Sequence, residues 1–263
     1  MTVRSRADVA SARRIVVKVG SSSISGENAG QIAPLVDALA AAHARGTEVV
    51  LVSSGAIATG MPYLRLDSRP TDLATQQAAA SVGQNLLVVR YQDALDRFDI
   101  IAGQVLLTAS DLENETPRLN AQRAMDRLLA LRILPIVNEN DTVATHEIRF
   151  GDNDRLAALV AELIGAELLV LLSDVDALYT KPPHLGGAER IAHVPYGDEL
   201  AGVEIGSVGR AGVGTGGAET KVSAARIAAD AGAAVLITAT PLVADALAGA
   251  EIGTWFDPAP DAA

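Results

Sequence analysis

Two lysines stand where lysine is unusual. Lys18 interrupts the aliphatic run Ile15–Val19, directly before Gly20. Lys221 follows the glycine-rich stretch Gly212-Val213-Gly214-Thr215-Gly216-Gly217 by way of Ala218, Glu219 and Thr220. An ammonium group inside an apolar run is costly unless an anion compensates it. Taken alone, Lys18 fits a residue snorkelling from a strand edge as well as it fits a phosphate ligand beside a glycine. Lys221 reads more sharply. Its loop can offer backbone N–H groups to phosphate oxygens, and the helix that follows carries the lysine in its first turn. Gly212, Gly214 and Gly217 also match G-x-G-x-x-G, but they come late and after a loop, which argues against a dinucleotide site, and no Walker A pattern is present.

The other polar clusters follow aliphatic runs. Ser53-Ser54-Gly55-Ala56 could turn N–H groups and a hydroxyl toward an anion, although an ordinary serine cap is the blander reading. No nucleophile elbow surrounds these serines. Asn138-Glu139-Asn140-Asp141 and Gly151-Asp152-Asn153-Asp154 place seven Asn, Asp or Glu residues within seventeen positions. One such tetrapeptide is usually a solvated turn. Two, the second opening a helix, fit a site in which carboxylates hold an α-ammonium and amides bind a carboxylate. They do not match an EF-hand loop, and His43, His146, His184 and His193 lack zinc spacing. Ser173-Asp174 ends a further run.

These clusters need a scaffold that brings them to one edge. Aliphatic runs at Ile15–Val19, Val49–Val52, Ile100–Leu107, Ile133–Val137, Leu168–Leu172 and Ala234–Thr238 are strand-length and apolar throughout. Helical stretches alternate with them. Ile32, Leu35, Val36 and Leu39 repeat at helical spacing before Gly46; Thr71 and Asp72 cap a long helix to Ala94, weakened by Gly83 in its middle. Thr116-Pro117 reads as a cap and first helical position leading into Leu119–Leu131. Arg155–Ile164 and Thr220–Ala231 complete the set. Runs apolar on both faces and alternating with helices predict a mostly parallel sheet covered on both sides, with ligands outside the carboxyl ends of its strands. Pro182–Gly187 and Val203–Gly217 read as loops, and the segment after Val243 has no clear assignment.

Composition sets the bounds. The chain has 263 residues, 49% of them hydrophobic and 20% charged, which suits a globular core. A net charge of −11 argues against a nucleic-acid surface. The absence of cysteine removes disulfides, thiolate metal sites and cysteine nucleophiles together. Met1–Arg14 is polar, carries four arginines and lacks an apolar leader core; no apolar run is long enough for a membrane helix. A cytoplasmic protein is expected, read as one domain over 1–263 with a flexible tail at 1–13.

Taken in order, Lys18-Val19-Gly20-Ser21-Ser22, Val52-Ser53-Ser54-Gly55-Ala56-Ile57, Val137-Asn138-Glu139-Asn140-Asp141, Phe150-Gly151-Asp152-Asn153-Asp154, Leu172-Ser173-Asp174 with Leu178-Tyr179-Thr180, and Gly214-Thr215-Gly216-Gly217 with Thr220-Lys221 resemble the glutamate 5-kinase family, within the wider amino-acid kinase superfamily. The resemblance covers nearly the whole chain. It implies a three-layer αβα sandwich with an open, mostly parallel sheet, and transfer of phosphate from ATP to the γ-carboxylate of L-glutamate, the first step of proline biosynthesis. It implies ATP contacts at Lys18, Gly20, Ser173, Asp174, Thr215, Gly216, Gly217, Ala218, Glu219, Thr220 and Lys221. Substrate contacts are implied at Ser54, Gly55, Asn138, Asp141, Asp152 and Asn153, with Asp154 organising the two lysines. It further implies Mg²⁺ carried by the ATP phosphates, a homodimer or homotetramer, and inhibition by L-proline.

An ionised carboxylate needs no general base, so catalysis should consist of alignment and charge neutralisation. The sequence departs from the family pattern in ending at Ala263, without the C-terminal PUA domain that many members carry. Ala218 stands where a larger residue is common, and Ala177 where glycine is expected. Two other readings stand beside this one: a related kinase acting on another carboxylate such as N-acetylglutamate, and a non-catalytic nucleotide- or amino-acid-sensing subunit.

Overall fold

The computed structural model describes residues 3–143, 153–181, 186–201, 203 and 217–260. The six aliphatic runs form the strands β1 (Arg14–Lys18), β2 (Glu48–Val52), β3 (Ala102–Leu107), β4 (Leu134–Glu139), β5 (Leu168–Ser173) and β9 (Ala234–Ala239). They lie side by side in the order β3-β4-β2-β1-β5-β9, every pair parallel. The sheet is completed by β10 (Thr254–Phe256), antiparallel to β9, and by β8 (His193–Val194), parallel to β10. A ribbon of β6 (Leu178–Tyr179) and β7 (Arg190–Ile191) stands apart from it.

Both faces of the sheet are covered. Side chains alternate along each strand, so Ile15, Val17, Val49, Leu51, Leu168 and Val170 share one apolar layer. That layer packs against α1 (Ile32–Ala44), α3 (Leu73–Leu95) and α8 (Val243–Leu247). Val16, Val50, Val52, Leu169 and Leu171 face the other layer, with α4 (Ala109–Glu113), α5 (Glu115–Ala130), α6 (Asn153–Ile164) and α7 (Ala218–Asp230). Lys18 has the parity of Val16 and so points toward α6 and α7. That parity decides which helices it meets.

Three local expectations are corrected. Residues 3–13 do not form a loose tail: Val3, Val9 and Ala12 are buried in the core, and Arg6–Ser11 forms a 3₁₀ turn. Helix α5 begins earlier than its Thr-Pro signal indicates, with Asn114 at the N-cap and Thr116 and Pro117 both inside the first turn. Proline is tolerated there because first-turn N–H groups lack intrahelical partners. Gly83 does not simply weaken α3. A Cβ at Gly83 would lie 1.8 Å from the Ala56 carbonyl oxygen, and one at Gly60 would lie 2.0 Å from that of Ala79. The glycine pair lets α3 cross the short helix α2 (Ala56–Gly60) at backbone contact. Asp72 caps α3 as its type predicts, accepting from the Thr75 N–H at 2.8 Å.

Candidate active site

The strands end level. Lys18 is paired with Val52 on one side and Leu171 on the other, and Val52 with Val137. The Ser53 N–H continues the ladder to the Val137 carbonyl at 2.8 Å. Ser54, Asn138 and Ser173 therefore leave the sheet at one edge, the carboxyl end of its parallel strands.

At the centre of that edge lies a buried charge cluster. Asp154, the second residue of α6, has no exposed surface. Its Oδ1 is 2.6 Å from Lys18 Nζ and its Oδ2 is 2.9 Å from Lys221 Nζ. The Thr220 hydroxyl donates to the same Oδ2 at 2.9 Å. Both lysines are themselves buried, Lys18 on the last residue of β1 and Lys221 in the first turn of α7. Burial alone would push the Asp154 carboxyl up. The ammonium groups of Lys18 and Lys221 outweigh that and hold it below the usual carboxylate range. Its place in the first turn of a helix favours the negative charge as well. The cluster carries two positive charges and one negative, so its formal excess is a single positive charge at the strand ends.

Beside it sits an amide network. Asn153, the first residue of α6, donates to the Ser54 hydroxyl at 2.8 Å and to the Asn138 side-chain oxygen at 3.3 Å. Ser54 and Asn138 are buried. Gly55, between Ser54 and α2, has φ +95°, and a Cβ there would come within 3.1 Å of Ser21. That turn needs glycine on both counts. Behind it, Ser53 and the fully buried Tyr91 share a hydrogen bond of 2.9 Å, and burial pushes the Tyr91 phenol up.

Asp141 lies in the turn after β4, beside a cavity of about 170 Å³ whose lining includes Gln84, Gln104, Glu139 and Asn140. Burial pushes its carboxyl up to about 6, against the opposing pull of Arg69. Ser173 and Asp174 stand at the end of β5, with the serine hydroxyl 3.2 Å from the Asp174 carboxylate. Gly20 leads into a 3₁₀ turn beside Lys18, and a Cβ there would be 3.9 Å from the lysine Nζ. Gly217 is the N-cap of α7, followed by Ala218 and the exposed Glu219. Asp152, Thr215 and Gly216 lie outside the described residues.

The sequence reading missed Gln84 and Tyr91. Both are polar residues on a buried helical stripe with Ala80 and Leu87, and a polar group at such spacing was the available signal.

The model of the amino acid kinase family matches residues 13–239. The chain belongs to the amino acid kinase family. Within that family it groups with the glutamate 5-kinases. It is 75% identical to glutamate 5-kinase of Leifsonia xyli subsp. xyli, over all of this chain and 97% of that relative. It is 76% identical to glutamate 5-kinase of Clavibacter sepedonicus, over 98% of this chain and 99% of that relative. Glutamate 5-kinase of Streptomyces coelicolor is 58% identical, the match covering 95% of this chain and 68% of the longer relative. Among solved structures, carbamate kinase from Giardia lamblia bound to AMP-PNP superposes with a TM-score of 0.68 at 14% identity, covering 95% of this chain and all of that one. At that identity the likeness is one of fold. It confirms the expected αβα amino-acid kinase architecture. Among the described residues no helix is long and apolar enough to cross a membrane.

Proposed function

We infer that this kinase transfers the γ-phosphoryl group of ATP to the side-chain carboxylate of L-glutamate, giving L-glutamyl 5-phosphate and ADP, the first step of proline biosynthesis. The observation that carries the reading is the level of identity to glutamate 5-kinases across the whole chain. The buried Lys18–Asp154–Lys221 cluster supports it, because it puts net positive charge where parallel strands end.

In the step itself, a γ-carboxylate oxygen attacks the γ-phosphorus. The bond from phosphorus to the bridging oxygen breaks, and ADP leaves with the electron pair. The nucleophile is already ionised at neutral pH, so no side chain has to remove a proton. The obstacle is the approach of one anion to another. Lys18 and Lys221 meet that obstacle by neutralising charge on the transferring group, and Asp154 keeps both ammonium groups in place. Because its own carboxyl is held below the usual range, Asp154 stays ionised and does not compete for a proton. Gly20, Ser173, Asp174 and the segment 215–221 are the proposed nucleotide contacts. Ser54, Gly55, Asn138, Asp141, Asp152 and Asn153 are the proposed glutamate contacts, Asp141 as the carboxylate facing the α-ammonium.

Magnesium fits this site as a companion of the nucleotide. Both Asp154 oxygens already face ammonium groups, and among the described residues no three His, Cys, Asp or Glu side chains converge on a point. When bound on the phosphates, the ion screens their charge. We also read the chain as cytoplasmic, as a homodimer or homotetramer, and as inhibited by L-proline. Proline carries the same carboxylate and ammonium that the substrate groups would recognise.

The test is acyl-phosphate trapping by hydroxylamine, with ATP and with glutamate, N-acetylglutamate, aspartate or no acceptor. Product with glutamate alone is expected. Turnover only with N-acetylglutamate would assign the chain to another acceptor, and ATP binding without turnover would make it a sensor.

A further inference from the structure

One backbone N–H dictates the orientation of a whole row of amides. The Glu139 N–H lies 2.9 Å from one terminal atom of the Asn138 side chain. A backbone N–H only donates, so that atom is the oxygen, and the Asn138 NH₂ points the other way. It meets Gln84 at 2.7 Å, which must therefore present its own oxygen. The Asn138 oxygen also receives the Asn153 NH₂ at 3.3 Å, and that NH₂ reaches the Ser54 hydroxyl at 2.8 Å. Two consequences follow. Ser54 accepts from Asn153, so its own proton is available to an external acceptor. The Asn153 oxygen is buried and has no hydrogen-bond partner among the described residues. A buried acceptor without a donor is costly, and a ligand ammonium would satisfy it.

Gln84 closes this row from the side opposite the site. It is buried on α3, one residue after the glycine whose backbone contact with α2 fixes where α3 lies. It also lines the cavity shared with Glu139 and Asp141.

We propose that Gln84 is a positioning residue for the amino-acid subsite. By holding the Asn138 amide in one orientation, it sets the Asn153 oxygen and the Ser54 hydroxyl to meet the ammonium and a carboxylate of the substrate. The proposal rests on the glutamate kinase reading. Without an acceptor at position 84, the Asn138 NH₂ is left buried and unpaired, and the amide is drawn to rotate. Rotation would turn an NH₂ toward the Glu139 N–H and the Asn153 NH₂, and the polarity of the row would be lost.

The test is steady-state kinetics on Gln84→Leu, Gln84→Met and Gln84→Glu, alongside the parent, with ATP affinity and thermal midpoint measured on each. The first two variants remove a good acceptor at similar volume and should raise KM for glutamate about tenfold or more, on the scale of one buried group left unpaired. ATP affinity should stay within about twofold, since effects at sites without shared partners are nearly independent. Gln84→Glu keeps an accepting oxygen and should recover most of the lost glutamate affinity. Unchanged glutamate KM in the Leu and Met variants would overturn the proposal. So would equal losses for both substrates, failure of the Glu variant to recover, or failure of both Leu and Met variants to fold, each of which makes Gln84 a structural residue. A parent enzyme inactive on glutamate would instead overturn the function reading.

Discussion

Asp154 Oδ1 lies 2.6 Å from Lys18 Nζ, although the two residues are 136 positions apart and both are buried. The same carboxylate meets Lys221 on its other oxygen. One anion thus holds two cations that would otherwise repel each other in a medium of low polarity. Removing either partner of a buried ion pair leaves an uncompensated charge, which costs more than the pair itself contributes.

Asp154→Ala should therefore lower folding stability by about 3–5 kcal/mol, the range for breaking a buried pair. Replacing all three charges together, as Lys18→Met, Lys221→Met and Asp154→Leu, should recover much of that loss while abolishing activity. Denaturant unfolding of the two proteins measures the difference. A triple variant no more stable than Asp154→Ala would mean that the cluster is a net source of stability.

Asp141 gives a pH dependence of definite sign. Its folded-state carboxyl is raised to about 6, so between its ordinary 3.8 and that value the folded chain holds a proton that the unfolded chain has lost. Its contribution to stability falls as pH rises through this window. Substrate binding runs the opposite way. The ionised form is the one that attracts an ammonium, so KM for glutamate should rise as pH drops below about 6. Asp141→Asn should raise KM at pH 7.5, taken as roughly a pH unit or more above that titration, and flatten the acid limb. An acid limb unchanged in Asp141→Asn would assign it to another group.

Gly83→Ala places a methyl group where the Ala56 carbonyl now sits, 1.8 Å away. The helices must separate, at a cost of about 1–3 kcal/mol or more. Because α2 follows directly from Ser54 and Gly55, glutamate kinetics should worsen with the melting temperature. A fully stable, fully active Gly83→Ala would show that the crossing is not needed to place the Ser54 turn.

The sheet was legible because its strands are apolar on both faces and bounded by small polar residues. All six runs became neighbouring parallel strands. β10 escaped because Thr254–Phe256 is too short for any period to register, and its pairing with β9 and β8 defines it. The N-terminal segment was misread for a similar reason. Arginines surround Val3 and Val9, and their burial depends on contacts distant in sequence. Lys18 and Lys221 were visible as residues out of place, while the role of Asp154 came with the family resemblance, since no local pattern says that position 154 lies between positions 18 and 221. Gln84 was hidden because glutamine on a helix is ordinary. Only its neighbour on β4, 54 positions away, makes it informative.

The central claim is that Lys18 and Lys221 neutralise the transferring phosphoryl group, and single-turnover phosphoryl transfer tests it most directly. With ATP and glutamate saturating, Lys18→Ala and Lys221→Ala should each slow formation of trapped glutamyl phosphate by about 10²-fold or more, the loss expected for one transition-state donor. Circular dichroism and a cooperative thermal unfolding transition would verify that each variant is folded. Near-parental transfer in either folded variant would contradict the account and remove that lysine from the mechanism.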